Sequence, residues 1–233
     1  MDAHSVIVAA GGPNVFTYFS QSNPAGKAII FALAFFSVCA WAVMLGKYWE
    51  LKRLRLFNLG FEQSLHRLNS ILHAPATFKA PKRVPYAALY LAAVEAYHRI
   101  EPKAGESIEQ LRAARVEHLE NALQRALANK TLAYESSMVF LATIVSGAPF
   151  FGLLGTVWGV MDAFGGVGLQ ATATLQNLAP GVSGALLTTV AGLCVAIPSV
   201  FGYNYLLTRT KVLVTELENF ASALADMIEL ESR

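Results

Sequence analysis

Three stretches without charge set the architecture of this chain. Ala28 to Gly46, bounded by Lys27 and Lys47, is almost continuously apolar. The twenty-six residues between Glu135 and Asp162 carry no charge, and neither does Ala163 to Thr208. A membrane-spanning helix needs about 20 mostly apolar residues. The first two runs therefore predict one span each, at 28–46 and 136–161. The third is too long for a single span. Gly165, Gly166, Gly168, Asn177 and Pro180-Gly181 divide it, predicting a turn over 162–181 and a third span at 182–207.

The polar segments follow a helical pattern too. Pro75, Pro81, Pro85 and Pro102 break residues 75–105 into loops around one short helix, Tyr86 to Arg99. Glu106 to Tyr134 has neither proline nor glycine, which predicts one rod continuous with the second span. After the third span, Leu206, Thr210, Leu213, Leu217, Phe220, Leu224 and Met227 recur at 4-3-4-3 spacing. That is a helix-packing seam, open to the 106–134 helix of the same chain or to another subunit. Ahead of the first span, Phe16, Tyr18 and Phe19 lie in Pro13 to Ser22 and predict a short interfacial helix.

Composition agrees with a mixed membrane and aqueous chain. Its 233 residues are 55% hydrophobic and 15% charged, against about 25% charged in soluble domains, and mean hydropathy is +0.44. Of eighteen Lys and Arg, only Lys27 precedes the first span, and none lies between the second and third. The positive-inside rule then puts the N-terminus outside and the C-terminus inside. The expected fold class is an all-α membrane protein with three transmembrane helices, N-out/C-in, and long helices extending into the cytoplasm. Its segments are a periplasmic 1–27, spans 28–46, 136–161 and 182–207, a cytoplasmic helical domain 47–135, a periplasmic turn 162–181 and a cytoplasmic C-terminal helix 208–233. The first apolar run lacks a small-residue cleavage site, so no removable signal peptide is expected. Cys39 and Cys194 sit in apolar runs and read as packing residues. A net charge of +2 with interleaved signs gives no basis for nucleic-acid binding.

Spans two and three are too polar for plain anchors. Span two contains Thr143, Ser146, Pro149, Gly152, Gly155, Thr156 and Gly159; span three contains Ser183, Gly184, Thr188, Thr189, Gly192, Pro198, Ser199 and Gly202. Small residues permit close helix packing in lipid, which accounts for most of the glycines. The hydroxyls of Thr156, Thr189, Ser146, Thr188 and Ser199 are the candidate lining of an ion pathway. Pro149 and Pro198 are expected to kink their helices and free the carbonyls of Val145 and Cys194, which suits helices facing protein or a wet cavity. No span carries a charged residue, whereas a self-sufficient proton pathway would be expected to own a carboxylate or histidine. If this is an ion pathway, the titrating carboxylate must come from a partner. Asp162, at the outer end of span two, is a solvated helix-end carboxylate or a point of ion entry.

Those residues carry a resemblance. Gly152-Leu-Leu-Gly-Thr-Val-Trp-Gly-Val-Met-Asp-Ala-Phe164 resembles the second-span signature of the ExbB/TolQ proteins, and Ala148-Pro149 with Gly155-Thr156 is similar to the related MotA stators. Pro180-Gly181-Val-Ser-Gly-Ala-Leu-Leu-Thr-Thr-Val-Ala-Gly-Leu-Cys-Val-Ala-Ile-Pro-Ser-Val-Phe-Gly-Tyr-Asn204 resembles the third-span signature. The resemblance implies the pore-forming subunit of an ion-driven motor in the bacterial inner membrane. It implies a homopentamer whose pore holds a single-span ExbD/TolR-like partner, in two copies, supplying an aspartate beside Thr156 and Thr189. It further implies a TonB- or TolA-like, gliding-type or other envelope client, no cofactor, and H⁺ or Na⁺ as the transported ion. One position departs from the pattern: the family usually has glutamate near the start of the third span, and this chain has Gly184.

A non-conducting pentameric scaffold is the competing expectation, since loss of that glutamate fits a lost transport role. A standalone channel or transporter is disfavoured by the lack of intramembrane charge and of internal repeats. An enzyme is not expected, because no nucleophile–base pair or metal-ligand cluster is visible. His66, His73, His98 and His118 are scattered over polar segments and read as solvated surface.

Overall fold

A computed structural model describes residues 14–68, 70–75, 78–102, 107–168 and 175–232, without side chains at 167–168 and 175–177. Helix α1 is Val15–Gln21, α2 is Pro24–Leu65, α3 is Pro85–Arg99, α4 is Ile108–Gly168 and α5 is Leu175–Glu231. There is no strand among the described residues. Helices α2, α4 and α5 are each long and apolar enough to cross a membrane. The chain divides into two compact units, 1–44 with 140–204 and 45–139 with 205–233, and the three long helices contribute to both.

Local chemistry explains where the helices begin. The side chain of Asn23 accepts the Gly26 amide at 2.7 Å, and Pro24 follows it at the first helical position. An Asn cap with proline behind it is a strong start signal for α2. Helix α4 starts with a reciprocal cap: the Gln110 amide donates to the Ser107 hydroxyl, and the Ser107 amide donates to the Gln110 side chain, both at 3.2 Å. Two otherwise orphaned amides are thereby satisfied. Helix α3 opens on Pro85, and the buried Asn58 of α2 accepts the Tyr86 amide at 3.3 Å.

The expected turn at 162–181 is corrected at both ends. Helix α4 continues through Gly165 and Gly166 to Gly168, and α5 already contains Pro180 and Gly181. Pro180 lies near the helix start, where losing one amide removes a single bond. A β-carbon on Gly181 would approach that of Ala163 to 2.9 Å, so the two helices stay paired over this stretch. Residues 169–174 of the expected turn lie outside the described residues, as do residues 1–13 of the expected N-terminal segment. Helix α1 lies in the predicted interfacial stretch, with Phe16 85% exposed and Phe19 edge-on to Phe31 at 5.8 Å.

In the 45–139 and 205–233 unit, the α5 seam is buried within the chain. Leu206, Thr210, Leu213, Leu217, Phe220 and Leu224 are all buried, and the Phe220 ring stacks on Tyr86 of α3 at 3.9 Å. The last expected member, Met227, gives way to Ile228, which is fully buried. A four-residue step there follows the 3.6 period of a straight helix rather than a 3.5 supercoil. Burial, with Glu62 and Glu216 nearby, pushes the Tyr86 phenol up to about 12. Burial beside Glu50 does the same to Tyr134.

The far end of α5 is clasped by a loop. Glu231 accepts the Ser70 hydroxyl and the amides of Ile71, at 2.7 Å, and Leu72, at 3.3 Å. Burial alone would raise this carboxyl, but those donors and the neighbouring His73 hold it below the usual glutamate range. A lowered folded value means that the clasp is fully formed above the ordinary carboxylate range and is lost as acid titrates the folded group. Glu231→Gln should therefore speed amide exchange at Ile71 and Leu72 at neutral pH, a change wild type shows only in acid. Unchanged exchange in the variant would show that the carboxylate does not hold the loop. His73 and His98, expected as separate surface residues, meet here at 6.1 Å, and His98 Nε2 lies 3.4 Å from the Leu72 carbonyl.

Candidate functional site

In the 1–44 and 140–204 unit, α4 and α5 approach closely because their contact is made of glycine and alanine. A β-carbon on Gly192 would meet the Ala148 carbonyl oxygen at 2.7 Å and the Gly152 Cα at 3.1 Å. One on Gly152 would meet the Thr188 carbonyl oxygen at 2.8 Å. The obstacles are backbone on both sides, the small-residue contact that membrane helices use in place of a hydrophobic drive.

Where the backbones touch, three hydroxyls converge. Thr188 donates to the Gly152 carbonyl at 2.9 Å or to its own-turn Ala185 carbonyl at 2.7 Å. Thr156 reaches Gly152 at 3.2 Å and Ala185 at 3.3 Å, and Thr189 reaches Gly152 at 3.2 Å. Thr156 also contacts the Thr189 hydroxyl and lies 3.4 Å from that of Thr188. Each hydroxyl has one proton and two acceptor lone pairs, so these contacts are alternatives. Rotating one hydroxyl hands a donor to its neighbour and frees an acceptor. Thr188 is fully buried, whereas Thr156 and Thr189 are half-buried and keep an open side. The cluster can thus present a donor or an acceptor to a group outside the chain.

The other candidates lie apart from this centre. Ser146 is exposed and bonds the Ala142 carbonyl one turn back at 3.0 Å. Ser199 is buried and bonds the Val195 carbonyl at 2.7 Å. Pro149 and Pro198 both lie inside their helices. The Ser199 hydroxyl bonds one turn back, as hydroxyls commonly do, to the carbonyl next to the one that Pro198 frees. Cys39 and Cys194 are both free.

The N-terminal corner was not anticipated as part of the site. Ser22, 6% exposed, donates to the Gly184 carbonyl at 3.1 Å or to the Tyr18 carbonyl one turn back at 3.0 Å. A β-carbon on Gly184 would fall 2.8 Å from the Ser22 hydroxyl oxygen and 2.9 Å from its Cα. The α1–α2 corner therefore occupies the space that any side chain at 184 would need, which accounts physically for glycine at this position. The neighbouring Asn23 donates to Asp162 at 3.2 Å, so the candidate entry carboxylate is tied to the same corner. The Asn23-Pro24 cap signature was the available signal for a chain reversal here.

The model of the MotA/TolQ/ExbB proton channel family matches residues 93–219. A "Biopolymer transport protein ExbB" of Xanthomonas campestris pv. campestris is 35% identical over 156 residues, covering 66% of this chain and 61% of that protein. A "Tol-Pal system protein TolQ" of Pseudomonas aeruginosa is 40% identical over 106 residues, 46% of each chain. This chain thus spans only about half to three-fifths of those two relatives. An ExbB of Neisseria meningitidis serogroup A is 27% identical over 208 residues, 89% of this chain and 94% of that protein. With more than half of its length matched, and with the polar faces of α4 and α5 inside the match, the chain belongs to the MotA/TolQ/ExbB proton channel family.

Proposed function

We propose that this inner-membrane protein is the pore-forming subunit of an ion-driven motor, acting with a single-span partner that brings its own carboxylate. The observation that carries this reading is the Thr156, Thr188 and Thr189 cluster on the Gly152 carbonyl, in spans with no charge of their own. A carboxylate facing the open sides of Thr156 and Thr189 would accept their hydrogen bonds when ionised and donate when protonated. Hydroxyls accommodate both states, whereas an apolar wall would leave the ionised one stranded.

In this reading the N-terminus is outside and the basic 47–135 and 208–233 segments are cytoplasmic, as the distribution of Lys and Arg supports. Five copies surround an ExbD/TolR-like pair of helices, and H⁺ or Na⁺ flow works on an envelope client. One charge crossing 100 mV releases about 2.3 kcal/mol, so a few ions per step suffice to remake a few contacts. The names of the relatives, a biopolymer transport protein and a Tol-Pal system protein, support energy transduction at the envelope.

Purification of the tagged chain from its source membrane should bring down a single-span protein with an acidic residue in its span. Vesicles holding both should dissipate an ion gradient that vesicles holding this chain alone retain. Conduction by the chain alone would contradict the reading. The corner over Gly184 favours a second reading, a non-conducting scaffold, because it leaves no room there for a charged side chain. An assembled complex that leaves the gradient intact would establish that reading instead.

A further inference from the structure

We infer that a groove between α2 and α5, just past the ends of their apolar spans, binds one anionic phospholipid. The groove measures about 370 Å³ and lies wholly within the 45–139 and 205–233 unit, a volume in the range of small-molecule sites. Its floor is apolar: Leu51, Leu206 and Leu213 line it and are themselves buried. Exposed Leu56 and Val212 extend that apolar wall to the surface. A floor of this kind takes an acyl chain and gives nothing to a free inorganic ion.

The rim is cationic. Lys52, Arg55 and Arg209 line the groove against one carboxylate, Glu216. Arg55 is committed to that carboxylate at 2.9 Å. Lys52 is exposed and makes no ion pair among the described residues. Arg209 lies over the Tyr205 ring at 5.2 Å and donates to its hydroxyl at 3.2 Å, which aims the guanidinium while leaving further donors unused. The rings of Tyr48 and Tyr205 lie 6.4 Å apart at the same end of the groove. Tyrosine and arginine or lysine at the end of a span is the pairing that meets a lipid headgroup.

Position selects lipid over a soluble anion. Lys52 follows the predicted end of the first span by six residues and Arg209 follows that of the third by two. At 1.5 Å per residue both stand within about 10 Å of the hydrocarbon edge, where the headgroups lie. A phosphodiester held by Lys52 and Arg209 would therefore place its acyl chain along the leucine floor. This assignment is independent of ion conduction.

The test uses the full-length protein, with whatever partner it retains, in nanodiscs of equal parts phosphatidylglycerol and phosphatidylcholine. Native mass spectrometry after release counts the lipids held. Wild type should retain phosphatidylglycerol over phosphatidylcholine, and Lys52→Gln with Arg209→Gln should reduce that preference roughly tenfold or more, the worth of two cations beside an anionic headgroup. Lys79→Gln with Lys82→Gln, charges outside the groove, should leave it intact. Val212→Trp, which fills the mouth without touching a charge, should lower retention of either lipid and carries the test alone if the double variant fails to assemble. Equal retention of both lipids by wild type would overturn the assignment. So would release of phosphatidylglycerol by excess inorganic phosphate, which would mark a bare anion site. Rapid Val212→Cys cross-linking between copies, with no lipid retained, would assign the groove to a second copy and overturn it too.

Discussion

Gly192→Ala is expected to cost this protein its α4–α5 contact. The added methyl would stand 2.7 Å from the Ala148 carbonyl oxygen and 3.1 Å from the Gly152 Cα, and neither atom can rotate away. The helices must separate, and overpacking of this kind costs about 1–3 kcal/mol. Separation also stretches the Thr188 bond to the Gly152 carbonyl, now 2.9 Å, adding about 0.5–1.5 kcal/mol. The variant should accumulate poorly in membranes and unfold at a markedly lower temperature in detergent. Gly147→Ala, where a β-carbon would meet nothing within 4 Å, is the matched control and should behave as wild type. Equal stability of the Gly192 variant, or equal damage from the Gly147 one, would contradict this account of the contact.

Replacing Thr156 and Thr189 together by valine should give the opposite profile: intact assembly, lost transport. Valine keeps the branched shape, so the packing beside Gly152 changes little. It removes the two half-buried hydroxyls able to meet a carboxylate from outside the chain. A hydrogen bond to a charged group is worth about 1.5–3 kcal/mol, so each lost hydroxyl should slow ion transfer by roughly tenfold to a hundredfold. Thr156→Ser with Thr189→Ser keeps both hydroxyls and should retain most of the activity. Thr188→Val is expected to act differently, through stability, because that side chain is sealed between the helices.

Much of this was legible in the uncharged runs. The spans at 28–46, 136–161 and 182–207 fall inside α2, α4 and α5, because charge is the costliest thing to place in hydrocarbon and its absence is easily read. Prolines delimited α3 to within one residue of Pro85–Arg99. The two ends of the 162–181 stretch misled because glycine and proline are only local turn signals, whereas the close packing of Gly181 on Ala163 keeps α4 and α5 helical on either side of residues 169–174. The α5 seam was visible up to Leu224, but the last step to Ile228 depends on helix straightness, which spacing alone leaves open. Within the site, the hydroxyl-rich faces could be listed, but their division could not. Burial of Thr188 against half-exposure of Thr156 and Thr189 is decided by how two helices rotate against each other. The seat of Ser22 on Gly184 joins residues 162 positions apart, a contact that no local pattern announces.

In the proposed motor, the open hydroxyls of Thr156 and Thr189 serve ion transfer to a carboxylate from a partner. The deciding measurement is proton and sodium flux into vesicles carrying the complex, with wild type compared against the Thr156→Val and Thr189→Val double variant at equal assembled amounts. Flux is expected in wild type and in the double serine variant, with near-background flux in the double valine variant. Full flux through the valine complex would contradict it.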